Sequence, residues 1–293
     1  MGQLSRRGFV ALAGGTIASC ASGGMDARST GSHIDPRSNR IIPHNPNIRV
    51  SKDFPRYDHH ITHRKCHIPE KYVAITFDDG PHPTNTPRLL DILRERNIKA
   101  TFYVIGQSVS AHPGVLRQTV NEGHEIGNHT QTHRLLTKLS DDALRWEIDG
   151  CNRAIQAAAR CTLRTFRPPY GALSERQRAI VYRDFGYPTL LWSVDPLDWK
   201  RPGYSVVANR IIRSVHPGAI ILAHDLHAST VAAMPMALDE LLYQGYKFVT
   251  VSQLLSLQAQ HTDAPQSSRN GGPEADFLAS PLTEPFASPN ANT

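Results

Sequence analysis

The sequence predicts an α/β fold built on a parallel sheet, held in a single domain. Three observations carry this. Seven apolar runs of strand length alternate with helix-like stretches between residues 70 and 259. Several of those stretches open on a residue that can cap a helix, as Ser140 and Ser174 do, the latter followed by Glu175. Reactive side chains gather just after the apolar runs, where the chemistry of parallel α/β barrels collects. Alternation of this kind fits a closed or an open parallel sheet.

The strand-like runs are 72–77, 100–105, 125–127, 164–167, 189–194, 219–223 and 248–251. They read as buried strands because their apolar residues run together instead of alternating with polar ones. The helix-like stretches are 86–96, 113–122, 141–159, 174–184, 205–215, 231–243 and 252–259. No repeat of fixed period is visible. The domain is set at 66–259, with residues 21–65 as a flexible linker rich in Gly, Ser, Asn, Pro, Arg and His. Residues 260–293 hold many Pro, Ser, Ala and Asn and are expected to form a disordered tail. Within the linker, His59, His63 and His67 fall four apart, but Pro55 and Pro69 bracket them and oppose a helix.

Hydrophobic residues make up 40% of the 293 and charged residues 20%, which suits a soluble globular protein with a substantial core. The formal charge of +6 is mildly basic, yet the positive residues are scattered with no Lys/Arg-rich run, so nucleic acid is not an expected partner. The first 20 residues read as an export signal. Ser5-Arg6-Arg7-Gly8-Phe9 resembles a twin-arginine signal, and the apolar run after it is too short to span a bilayer. Ile17-Ala18-Ser19-Cys20 resembles a bacterial lipobox, which would lipidate Cys20 and anchor the chain at the periplasmic or outer surface. The competing reading is cleavage within Ser19-Cys20-Ala21, which would release a soluble protein. Cys66, Cys151 and Cys161 remain, an odd number, with Cys151 and Cys161 a possible pair.

Five clusters follow successive strands. Asp78 and Asp79 follow the first, and Asn128 to His133 the third. Arg167 to Gly171 follow the fourth, Asp195 to Trp199 the fifth, and His224-Asp225 the sixth. Two adjacent Asp residues at a strand end either cap a turn or divide two tasks, because neighbouring strand side chains point to opposite faces. His129 and His133, four apart, would share one helical face and could bind one ion.

Taken together these segments resemble the motif set of the polysaccharide deacetylases, the NodB-homology group or carbohydrate esterase family 4. The motifs stand here as Thr76–Pro81, His129–His133, Arg167–Tyr170, Asp195–Trp199 and Leu222–His224. The resemblance implies a distorted (β/α)7 barrel and hydrolysis of N-acetyl groups on a polysaccharide. It further implies one divalent metal ion, zinc with cobalt or nickel as alternatives, held by Asp79, His129 and His133. Asp78 would be the general base, held by Arg167. His224 would be the general acid, supported by Asp198, while Asp195 would shape its loop. Tyr170 would contribute its backbone N–H toward an oxyanion, and Trp199 and Leu222 would wall the substrate site. Peptidoglycan is the expected substrate, with chitin oligomers, poly-N-acetylglucosamine and acetylated xylan as alternatives, and the protein is expected to be a monomer. A non-catalytic glycan-binding lipoprotein is the reading from a different class.

Overall fold

The computed structural model describes residues 62–263 and, ahead of them, the backbone of two short antiparallel strands, β1 (His33–Ile34) and β2 (Ile41–Ile42). The export signal with Cys20, most of the linker and the tail beyond Asp263 lie outside the described residues. The domain then runs β3 (Thr62–His63), β4 (Tyr72–Asp78), α1 (Asn85–Glu95), β5 (Thr101–Val104), α2 (Gly106–Ala111), α3 (Pro113–Asn121), β6 (Glu125–Asn128) and α4 (Asp141–Ala159). It continues with α5 (Glu175–Phe185), β7 (Thr189–Leu190), α6 (Tyr204–Ser214), β8 (Ile220–His224), α7 (Ala228–Tyr243), β9 (Lys247–Phe248) and α8 (Val251–Asp263).

The sheet is parallel and closes into a barrel. β4 lies between β5 and β8, and β6 continues the sheet beyond β5. From β6 the ring passes through single bridges, Asn128 to Phe166 and Phe166 to Thr189, and returns to β8 through Val194 and Ile221. β9 pairs with the first two residues of β4. The fourth expected strand is thus reduced to one bridging residue, and the fifth to β7 plus Val194. The distortion of the barrel lies in that arc.

Alternation sorts each strand between two cores. Val73, Ile75 and Phe77 of β4 face outward and pack with Leu89, Leu90 and Leu93 of α1. Ala74 faces inward, with Tyr103, Leu190 and Ile220. Thr76 and Asp78 share its parity and lie in the barrel mouth. β8 obeys the same rule, with Ile221 and Ala223 outside and Ile220 inside, so His224 enters the mouth beside Asp78, its register partner.

Local signals explain most helix ends. Ser140 caps α4 by accepting the Ala143 N–H (3.3 Å). Ser174 caps α5 in a reciprocal box whose partner is Gln177, not the Glu175 that the sequence suggested. α7 starts three residues earlier than expected, and α8 runs to Asp263, past the domain limit set at 259. Besides β1 and β2, which lie in the stretch expected as linker, two elements were missed. α2 is a single short turn of helix after β5. β3 lies in the stretch expected as linker, yet Thr62–His63 pair with Thr189–Leu190 and the Cys66 N–H donates to the Gly218 carbonyl. His63 is therefore buried on a strand while His67 is exposed, so these two share no helical face. Cys66 and Cys151 are buried free thiols, so the pairing considered for Cys151 and Cys161 does not form.

Gly127 on β6 is required by packing. A Cβ there would overlap the ring of Tyr103, which is fully buried beneath the mouth. Gly127→Ala is expected to lower the unfolding free energy by about 1–3 kcal/mol through this overpacking. The midpoint of urea unfolding with an unchanged slope measures it.

Candidate active site

Arg167 stands at the centre of the mouth with no exposed surface. Its Nη1 donates to Asp78 Oδ1 and to Thr76 Oγ1, each at 2.7 Å, and its Nη2 to the Leu191 carbonyl at 3.1 Å. The guanidinium also lies 4.1 Å from the centroid of the Tyr103 ring. These bonds fix the direction of the Asp78 carboxylate and give the buried guanidinium the partners it requires.

Asp79 is divided from Asp78 by backbone geometry. Asp78 is the last residue of β4 and points inward. Asp79 has φ of 75°, which breaks the alternation and brings its carboxylate to the same mouth. Its N–H donates to the Tyr103 carbonyl and the Gly80 carbonyl accepts from Ile105, so β5 braces this turn. Asp79 Oδ1 lies 3.4 Å from His129 Nε2 and 3.2 Å from His133 Nε2.

His129 and His133 meet without a helix. Residues 129–135 form a loop, with Thr130 and His133 in the left-handed region. Tertiary hydrogen bonds hold that backbone. The Thr130 and Gln131 carbonyls accept from Gly106 and Gln107 at the start of α2. Thr132 donates through N–H and hydroxyl to Glu147, a fully buried carboxylate on α4. The sequence expectation of one shared helical face is therefore corrected: the two imidazoles converge, but from a loop. Four residues can return a side chain to the same place when two of them take positive φ.

The three side chains fit a metal ion. Their ligand atoms lie within 4.8 Å of one another. Asp79 Oδ1 is buried and takes no hydrogen bond. His129 donates its Nδ1–H to the Arg167 carbonyl (2.7 Å), which fixes the tautomer and leaves Nε2 facing the carboxylates as a lone-pair donor. Two imidazoles and one carboxylate are a donor set suited to zinc, and cobalt or nickel accept it too. Burial would raise the Asp79 carboxyl, but His129, His133 and His224 outweigh it and hold it down at about 2.

The end of β8, next to β4, carries a second pair. His224 Nδ1–H donates to Asp198 Oδ1 at 2.8 Å, and Asp198 Oδ2 accepts from the His224 N–H and the Thr230 hydroxyl, also at 2.8 Å. Burial alone would lower His224, but Asp198 dominates and carries it up to about 9. Asp198 is itself held below the ordinary carboxylate range against its own burial, with His224 the chief cause.

The remaining expected residues divide. Tyr170, at φ 60° and well exposed, sets its ring edge-on to His133 at 4.8 Å. Trp199 is half exposed on the turn after Asp198. Leu222 is nearly buried in β8, two residues before His224 on the same face. Asp195 is exposed and accepts the Leu197 N–H (2.8 Å), which shapes the loop. Residues unassigned from sequence support the site from behind: Thr76, Tyr103, Glu147 and Thr230, together with Asp225. Strand parity would have pointed to Thr76 and Tyr103. Nothing local marks Glu147, which is one acid among several on α4.

A closed parallel barrel with this mouth belongs to the NodB-homology architecture. The polysaccharide deacetylase family model matches residues 66–190. A peptidoglycan-N-acetylglucosamine deacetylase of Bacillus cereus is 42% identical over 191 residues, covering 64% of this chain and 89% of the relative. The peptidoglycan-N-acetylglucosamine deacetylase PgdA of Listeria monocytogenes is 38% identical over 190 residues, 65% of this chain. The match spans 40% of that relative's length. Among solved structures, a CE4 family pseudoenzyme from Bacillus anthracis superposes with a TM-score of 0.64 at 35% identity, covering 67% of this chain and 69% of its own. The chain belongs to the polysaccharide deacetylase family, carbohydrate esterase family 4.

Two outcomes follow from the site's electrostatics. Arg167→Met leaves Asp78 buried without its partner and is expected to cost about 3–5 kcal/mol of stability, read from urea unfolding. His224 is raised from 6.5 to about 9 in the folded state, so its pairing with Asp198 stabilises fully below pH 6.5 and is lost as pH rises through about 9. The unfolding free energy of the parent should fall by about 3 kcal/mol across that window relative to His224→Gln, measured in the same urea series.

Proposed function

We propose that this protein is a metal-dependent deacetylase that hydrolyses N-acetyl groups of a polysaccharide, with peptidoglycan N-acetylglucosamine the leading substrate. The single observation that carries this is the juxtaposition of the Asp79, His129 and His133 donors with two separately braced proton carriers, Asp78 and His224. Relatives named for peptidoglycan deacetylation support the substrate class.

Asp79, His129 and His133 would hold the ion. When bound, such an ion supplies Lewis acidity, acidifying water and polarising a carbonyl oxygen. Asp78, oriented by Arg167, takes the proton of the water that adds to the acetyl carbon. The Tyr170 backbone N–H stabilises the negative charge that develops on the carbonyl oxygen. The C–N bond then breaks, and His224 gives its proton to the departing nitrogen, because an amide anion is too basic to leave unprotonated. Products are acetate and a free amine on the sugar. Asp198 keeps His224 charged at neutral pH. Trp199 and Leu222 wall the sugar and the acetyl methyl group.

For location we read the export signal and the Cys20 lipobox together as a tether that would bring a monomeric barrel to the cell wall. No described helix is long and apolar enough to cross a membrane. The pseudoenzyme relative supports a second reading, a barrel that binds glycan without turnover.

The deciding measurement is acetate release from peptidoglycan after chelation and again after adding zinc. Zinc-restored release is expected, and zinc bound with no release from peptidoglycan, chitin oligomers or xylan would favour the binding-only reading. Asp78→Asn should lower the rate by about 10²–10⁴ while retaining zinc, whereas His129→Ala should lose both. Activity should also fall as pH rises through about 9, where His224 gives up its proton, and a pH–rate profile of kcat/KM checks this.

A further inference from the structure

Asp225 has no part in the chemistry above, yet it is fully buried directly behind the metal-ligand turn. It follows His224, and the register pair Asp78–His224 places it one step beyond, level with Asp79. Its Oδ2 accepts the Thr86 hydroxyl, and its Oδ1 is buried with no hydrogen-bond partner. The carboxyl occupies the space where a side chain on Gly80 would stand, since a Cβ at that position would overlap both of its oxygens.

Thr86 belongs to the same latch. Its hydroxyl accepts the His82 N–H at 2.8 Å while donating to Asp225, and its own N–H donates to the His82 carbonyl. Alongside, Asn85 Nδ2 donates to the Leu226 carbonyl at 2.8 Å. The turn from Asp79 to His82 is therefore clamped on one side by β5, through Tyr103 and Ile105, and on the other by the residues that follow β8. Asp79, at φ 75°, is the first residue of this clamped turn.

We propose that Asp225 is a positioning residue for the metal site: its carboxyl, braced by Thr86, fills the space behind Gly80 and holds Asp79 at the angle where its carboxylate meets the nitrogens of His129 and His133. This rests on the metal reading of those three residues. It also links the loop of the proton donor to the loop of the metal ligand, because His224 and Asp225 are consecutive.

The test is zinc affinity of the full chain, measured by competition with a chromophoric chelator, beside thermal unfolding of the same samples. Asp225→Ala should bind zinc about 10–100-fold more weakly at temperatures where it remains folded. Thr86→Val should weaken binding in the same direction. Asp225→Asn preserves the shape and an oxygen for Thr86, and should bind near the parent value. A merely structural role would lower the melting temperature of Asp225→Ala and leave the affinity of the folded protein unchanged. Parent-like affinity in folded Asp225→Ala overturns the proposal, and so does an equal loss in Asp225→Asn. If Asp225→Ala does not fold, Thr86→Val decides on the same terms. A parent chain that binds no zinc overturns the metal reading, and this inference with it.

Discussion

A fully buried guanidinium is the constraint on which the barrel mouth depends. Removing an arginine from water costs several kcal/mol unless its donors are met. Arg167 meets them with Asp78, Thr76 and the Leu191 carbonyl, and rests on the Tyr103 ring. These partners come from three different arcs of the ring, so one side chain ties the strand ends together. At Leu191 the chain gives its carbonyl to Arg167, and the regular pairing of β7 ends just before it, at Leu190.

From that anchor the two adjacent aspartates acquire different fates. Asp78 remains in the strand, in the low-dielectric floor of the mouth, with its charge matched by Arg167. Asp79 leaves the strand through a left-handed residue and faces two imidazoles. The mouth thus holds carboxylates and cationic or potentially cationic groups in near balance, in two sets. One set gathers three ligand atoms that could hold an ion, and in the other Asp198 pairs with His224 and raises its pKa. The two sets sit side by side, since β4, which carries the aspartates, and β8, which carries His224, are paired neighbours in the sheet.

The loop from His129 to His133 shows how this precision is obtained off regular structure. Its carbonyls are received at the start of α2, and Thr132 is held by Glu147 from α4. Asp225 and Thr86 act comparably on the Asp79 turn. Both ligand-bearing loops are thereby as constrained as the strands they follow, which is what a site with a defined coordination geometry requires.

Much of this was legible in the residues alone. Apolar runs and capping serines set out the alternation of strands and helices, and charged residues after those runs marked where the chemistry lies. Each is a short-range property, carried within a few residues of chain. The tertiary structure decided the rest. It reduced the fourth strand to Phe166, recruited Thr62–His63 into the sheet and left Cys151 a free thiol. It also brought His129 and His133 together on a loop instead of a helix. These outcomes depend on ring closure, which brings residues 78, 129, 167 and 224 to one point, and on long-range hydrogen bonds that hold positive φ at Asp79, Thr130 and His133. No local pattern encodes a backbone conformation whose support comes from other elements, as Tyr103 supports Asp79 and Gly106 supports Thr130.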